Sequence, residues 1–139
     1  MGHLTAGWVT LQEGRGMHGD AAGRGRRVLV VDDDPDVRRI TATFLRRAGC
    51  EVAEADHAHR ALALLDADPA TGTLVTDFAM PGMNGAELVL RARAVHPGLP
   101  AMVVTGFADA EELACLPDDV TILRKPFRRD DLLRALDLL

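Results

Sequence analysis

Apolar residues along the chain fall into short unbroken runs that alternate with stretches of helical spacing. Val28-Leu29-Val30-Val31 is the first run, the pattern of a strand covered on both faces of a parallel sheet. It leads into Asp32-Asp33-Asp34-Pro35, where Pro35 suits a first helical position and Asp34 the N-cap before it. Val37, Ile40, Thr41, Phe44, Leu45 and Ala48 then recur at helical spacing, and Gly49 stops the helix. Residues 51–54 predict a shorter, less apolar strand nearer an edge. Asp56 is the expected cap of a second helix carrying Ala58, Ala61, Leu62 and Leu65 on one face, ended by Asp68-Pro69.

Residues 73–77 predict a third strand that ends in Asp77, and Pro81, Gly82 and Gly85 force a loop after it. Asn84 followed by Glu87 has the form of an N-cap with a capping-box glutamate, so a third helix is expected over 86–95, broken by His96-Pro97-Gly98. A fourth apolar strand follows over 100–105, a short helix over 109–116, a fifth strand over 120–124, and a last helix over 129–139 with Leu132, Leu133, Leu136 and Leu139 inward. Five strands alternating with five helices predict an α/β fold, a doubly wound parallel sheet with helices on both faces.

Residues 1–26 show scattered Gly, Arg and His with little periodicity and are expected to form a flexible tail, with one domain over 27–139. Trp8-Val9-Thr10-Leu11 has the pattern of a short extended piece, and Met17 offers an alternative start. A length of 139 residues suits one domain with a real core, and no output domain for DNA binding or catalysis is expected within it. Residues 1–27 carry four arginines against Glu13 and Asp20, a balance of +2, whereas the whole chain carries -5. The remaining body, at -7, disfavours nonspecific nucleic-acid or membrane binding. With aromatic residues at 4%, a base-stacking surface is not expected. No apolar run approaches the roughly 20 residues of a membrane span, and no signal-peptide pattern opens the chain, so a cytoplasmic location is expected. Cys50 and Cys115 form no CxxC pattern and are expected to be buried, inert thiols.

The chemistry lies at the strand ends. Asp32-Asp33, Asp77, Thr105 and Lys125 all fall at carboxyl ends of successive parallel strands, where open α/β sheets place their ligand crevice. Carboxylates brought within about 4–6 Å raise one another's pKa. A hard divalent cation and the Lys125 ammonium relieve that repulsion, and Mg²⁺ suits a few carboxylates together with phosphate. A carboxylate so placed can form an aspartyl-phosphate, with Thr105 donating its hydroxyl to a phosphoryl oxygen.

Val31-Asp32-Asp33-Asp34-Pro35, Asp77-Phe78-Ala79-Met80-Pro81-Gly82-Met83-Asn84-Gly85, Thr105-Gly106 and Lys125-Pro126-Phe127 together resemble a response-regulator receiver domain of two-component signalling, of the chemotaxis-regulator kind, over residues 27–139. The resemblance implies a flavodoxin-like (βα)5 fold with strand order 2-1-3-4-5. It implies that Asp77 is the phosphoacceptor, that Asp32, Asp33, Asp77 and the Ala79 carbonyl hold Mg²⁺, and that Thr105 and Lys125 are the switch hydroxyl and the phosphoryl-pairing lysine. The Lys125-Pro126 bond is expected to be cis. The implied partners are a histidine kinase or histidine phosphotransfer protein, which supplies the phosphoryl group, and a downstream protein target. The chain is expected to be no enzyme beyond its own phosphorylation and slow dephosphorylation.

Two departures shape the expected behaviour. Ile122 stands at a switch position that is usually aromatic, so signalling is expected to use a loop or helix shift. Ala79 and Phe107 flank the site without a polar side chain to orient water, which predicts slow self-dephosphorylation. Two other readings compete: a haloacid-dehalogenase-type phosphatase, which wants an aspartate where Ala79 stands, and a phosphorylation-independent pseudo-receiver. A stand-alone regulator, a phosphate sink and a hybrid-kinase receiver all fit the pattern. His57, His59 and His96 read as surface or cap residues. Arg124, Arg128 and Arg129 read first as a solvated face and second as a docking site.

Overall fold

The computed structural model describes Trp8, residues 23–106 and residues 110–139. Its elements run β1 (Arg27–Val31), α1 (Pro35–Arg47), β2 (Glu51–Ala55), α2 (Ala58–Ala67), β3 (Thr73–Asp77), α3 (Gly85–Val95), β4 (Ala101–Thr105), α4 (Ala110–Leu113), β5 (Thr121–Arg124) and α5 (Arg129–Ala135). The strands form one parallel sheet in the order β2-β1-β3-β4-β5, the expected doubly wound α/β fold. β3 and β4 lie inside the sheet and are buried at every residue, as strands covered on both faces must be. The edge strands β2 and β5 keep partly exposed positions, in line with the polar Glu51 and Glu54 of the sequence.

Residues alternate between two cores. Leu29, Val31, Leu74 and Val103 pack with α2 and α3 residues such as Leu65, Leu88 and Val89. Val28, Val30, Val75 and Met102 face the other way, onto Leu45 of α1 and Leu132 and Leu133 of α5. This period of two places successive strand residues against opposite helix layers.

Helix ends differ from expectation in informative ways. α1 is capped by Asp34, whose carboxylate accepts from the Asp36 and Val37 amides. α2 is capped by His57, not Asp56: the His57 ring accepts from the Arg60 amide. At α3, Asn84 accepts from the Glu87 amide at 2.9 Å, but the Glu87 carboxylate pairs with Arg91 one turn on instead of closing a capping box. α4 is shorter than the expected 109–116 span. It ends at Leu113 and passes into turns. α5 stops at Ala135 because Asp137 adopts φ 59, and the Leu138 amide returns to the Leu133 carbonyl at 2.7 Å. That reversal buries Leu138 and leaves Leu139 exposed, the opposite of what helical continuation predicts.

The segment ahead of β1 also makes contacts. The Gly23 amide donates to the Ala48 carbonyl at 2.9 Å, and Arg26 reaches the Leu136 carbonyl at 2.8 Å. Trp8 packs against the α2/α3 core, its ring 5.6 Å from the Arg27 guanidinium carbon. The rest of the expected extended piece, residues 9–11, lies outside the described residues, as does Met17. Cys50 is buried as expected, and burial raises its thiol pKa above the usual value, against the charge of Arg26. Cys115 is exposed, contrary to expectation: α4 ends before it, and in the turn that follows its Sγ donates to the Glu112 carbonyl at 2.9 Å. No helix among the described residues is long and apolar enough to cross a membrane.

Candidate functional site

The carboxyl ends of β1, β3, β4 and β5 form one rim. Past β1, the Asp32 amide donates to the Ala55 carbonyl at 3.1 Å, extending the ladder to β2 by one residue. The Asp32 carboxylate turns back to accept the Asp34 amide at 2.9 Å. Asp32 is therefore buried, Asp33 exposed, and Asp34 spent on capping α1.

Asp77 ends β3 opposite Val104 of β4. The next amide, Phe78, donates to the Val104 carbonyl at 2.8 Å, and the Gly85 amide closes the loop onto the Phe78 carbonyl at 2.8 Å. Met80 and Met83 anchor that loop in the core while Ala79 stays exposed. Thr105 is buried at the end of β4, one residue beyond Asp77's cross-strand partner, and its carbonyl accepts the Lys125 amide at 2.9 Å.

Lys125 leaves β5 beside Gly106 and crosses to Asp77, with Nζ 2.9 Å from Oδ1. The Lys125-Pro126 bond is cis. Ile122 pairs in register with Val103, lies on the edge strand and is exposed at 38%. Phe107 lies outside the described residues.

Carboxylate oxygens of Asp32, Asp33 and Asp77 lie within 4.8 Å of one another. Burial, with the charges of Asp77 and Asp33, lifts the Asp32 carboxyl above its ordinary range, outweighing the Asp34 amide and the Lys125 charge. Burial pulls the Lys125 ammonium down, but its hydrogen bond to Asp77 and the charges of Asp77, Asp32 and Asp34 outweigh this and hold it above its usual value. The donor set is all oxygen and rich in charge, with one member exposed to solvent. It fits a hard divalent cation that keeps part of its water, and it lacks the His or Cys that a softer metal prefers.

Sequence reasoning passed over Arg38. Its guanidinium donates to the Asp32 carbonyl at 2.9 Å and to Glu54 at 3.2 Å. The available signal was an arginine one turn into α1 and an acid, Glu54, on the neighbouring strand β2.

A family profile described as response regulator receiver domain matches residues 28–137. The chain belongs to that family. The receiver protein CpdR of Brucella abortus is 37% identical over 117 residues, which cover 81% of this chain and 94% of CpdR. DctD of Rhizobium meliloti, a C4-dicarboxylate transport transcriptional regulatory protein, is 36% identical over 110 residues. The match spans 78% of this chain but 24% of DctD. A CheY-like receiver domain structure from Methanospirillum hungatei superposes with a TM-score of 0.73 at 31% identity, covering 81% of this chain and 90% of that one. Receiver domains are signalling domains of two-component systems and interact with histidine kinases and downstream targets. Membership sets this receiver apart from the haloacid-dehalogenase-type phosphatases.

Proposed function

We propose that Asp77 of this receiver accepts a phosphoryl group from a phosphohistidine, with Mg²⁺ held by Asp32, Asp33, Asp77 and the Ala79 carbonyl. The reading rests on one observation above all: Lys125 Nζ lies 2.9 Å from Asp77 within a group of three converging carboxylates. An Asp77 carboxylate oxygen attacks phosphorus, the P–N bond breaks, and the electron pair returns to the donor imidazole. The bound cation would supply charge neutralisation at the phosphoryl oxygens. Lys125, kept as an ammonium by its acidic neighbours, pairs with the new negative charge. Thr105 offers its hydroxyl on the same rim.

Phosphorylation then alters the surface around β4, β5 and their helices. Ile122 has no ring to rotate, so the change travels as a loop or helix shift. The methyl of Ala79 cannot orient an attacking water, which makes the acyl phosphate slow to hydrolyse. A donor histidine kinase or phosphotransfer protein and a downstream protein complete the pathway, in a cytoplasmic setting.

Incubation with beryllofluoride and Mg²⁺ tests the reading. A stoichiometric adduct in the wild type, absent in Asp77→Asn, is expected. Failure of the wild type to form it would favour a phosphorylation-independent module. Continuous turnover of acetyl phosphate, or a phosphoryl lifetime of only seconds, would overturn the slow-hydrolysis reading.

A further inference from the structure

We propose that Arg38 is a positioning residue for the cation site, fixing the Asp32 backbone so that its carboxylate faces Asp33 and Asp77. The proposal rests on the reading of Asp32 as a cation ligand. Asp32 is held at three points: its amide by Ala55, its carboxylate by the Asp34 amide, and its carbonyl by Arg38 Nη1 at 2.9 Å. The first two are local or belong to the sheet. The third ties the loop to a neighbouring strand through a side chain that is itself tied. Arg38 Nε reaches one Glu54 oxygen at 3.2 Å, and Arg46 Nη1 takes the other at 3.1 Å while its Nη2 reaches the Val52 carbonyl at 3.1 Å. The arginine and glutamate side chains are largely shielded, at 17%, 26% and 14% exposure for Arg38, Glu54 and Arg46. A planar guanidinium serves two acceptors in fixed directions at once, which an ammonium cannot do.

Charge and geometry predict opposite outcomes. A positive group near a cation site repels the incoming ion, so removing Arg38 on charge grounds alone tightens Mg²⁺ binding. Loss of positioning weakens it, and residues that orient ligands typically contribute roughly 10–100-fold in metal affinity. The experiment is calorimetric titration of the full chain with Mg²⁺ alone, well below each variant's unfolding midpoint. Arg38→Met is expected to bind Mg²⁺ at least roughly 10-fold more weakly, and Arg38→Lys to show most of the same loss. Arg46→Met, which loosens Glu54 without touching Asp32, is expected to lower the unfolding midpoint and leave Mg²⁺ affinity close to wild type. If Arg38→Met fails to fold, Arg38→Lys carries the test alone: it keeps the charge, so charge predicts unchanged binding, while loss of the fixed fork is expected to weaken it. Unchanged or tighter binding in the folded variant, or full rescue by Arg38→Lys, overturns the proposal. A wild type that takes up no Mg²⁺ overturns the cation site itself, a result distinct from wild-type binding that Arg38→Met leaves intact.

Discussion

Gly85, the first residue of α3, lies directly against the carbonyl of Asp77, so close that a Cβ at position 85 would collide with that backbone oxygen and with Phe78 Cα. The loop carrying Asp77 therefore returns on itself with no room for a side chain. Gly85→Ala is expected to push the Asp77 end of β3 away from Lys125 and to cost about 1–3 kcal/mol, as overpacking against an unyielding backbone does. Thermal unfolding together with beryllofluoride uptake checks both effects. A variant with wild-type stability and wild-type uptake would show that the close approach is not needed.

Asp32 carries the cost of the acidic group in the metal-free protein. Burial first, then Asp77 and Asp33, raise its carboxyl above the unfolded value of 3.8. A carboxyl raised on folding gives stability that is full below the unfolded value and lost as pH rises through the folded value. Asp32→Asn removes that loss and keeps an oxygen for the Asp34 amide. In chelator at neutral pH the variant is expected to melt higher than wild type, and the gap should close as pH falls toward 3.8. Mg²⁺ should raise the wild-type midpoint and not the variant's. A variant less stable than wild type at neutral pH would contradict the burial argument.

The two thiols are expected to react at very different rates. Cys115 is exposed, whereas Cys50 lies under Gly23, where an added Cβ would meet Sγ at 2.8 Å. Burial also disfavours the Cys50 thiolate. Native protein should release one equivalent of chromophore quickly with a disulfide reagent, and Cys115→Ser should release almost none until unfolded. A chain beginning at Arg27 lacks the Gly23 cover and should expose Cys50 to reagent. Equal protection in that shorter chain would mean that the turn at Gly23 does not shield it.

Asp137 occupies the left-handed region, with φ 59, at the residue that reverses the chain after α5. Glycine tolerates this conformation without the Cβ penalty, which is on the order of 1 kcal/mol. Asp137→Gly is expected to raise the unfolding midpoint by a few degrees, and Asp137→Val to lower it. Denaturant titration of both variants provides the check.

Local sequence determined much of this protein. Runs such as Val28–Val31 and 101–104 are apolar at every position, so they announce strands covered on both faces before any partner is known. Asp34-Pro35 and Asn84 mark helix starts because capping is a short-range hydrogen bond. The rim shared by Asp32, Asp33, Asp77, Thr105 and Lys125 was legible because parallel α/β units point their carboxyl ends the same way, whereas the order of the strands followed only from the resemblance to receiver domains.

Contacts that residue spacing does not register, some local and some between separate segments, decided the rest. Whether Asp56 or His57 capped α2 depended on which ring or carboxylate the turn aimed at the Arg60 amide. Leu138 replaced Leu139 in the core because Asp137 reversed the chain, a choice that helical periodicity cannot register. The Arg38–Glu54 clamp joins residues 16 apart in sequence, and each alone reads as an ordinary surface charge. Spacing along a chain fixes which face a residue occupies, but only the packed structure fixes which groups meet, because that choice is made by hydrogen bonds and excluded volume between segments that sequence holds apart.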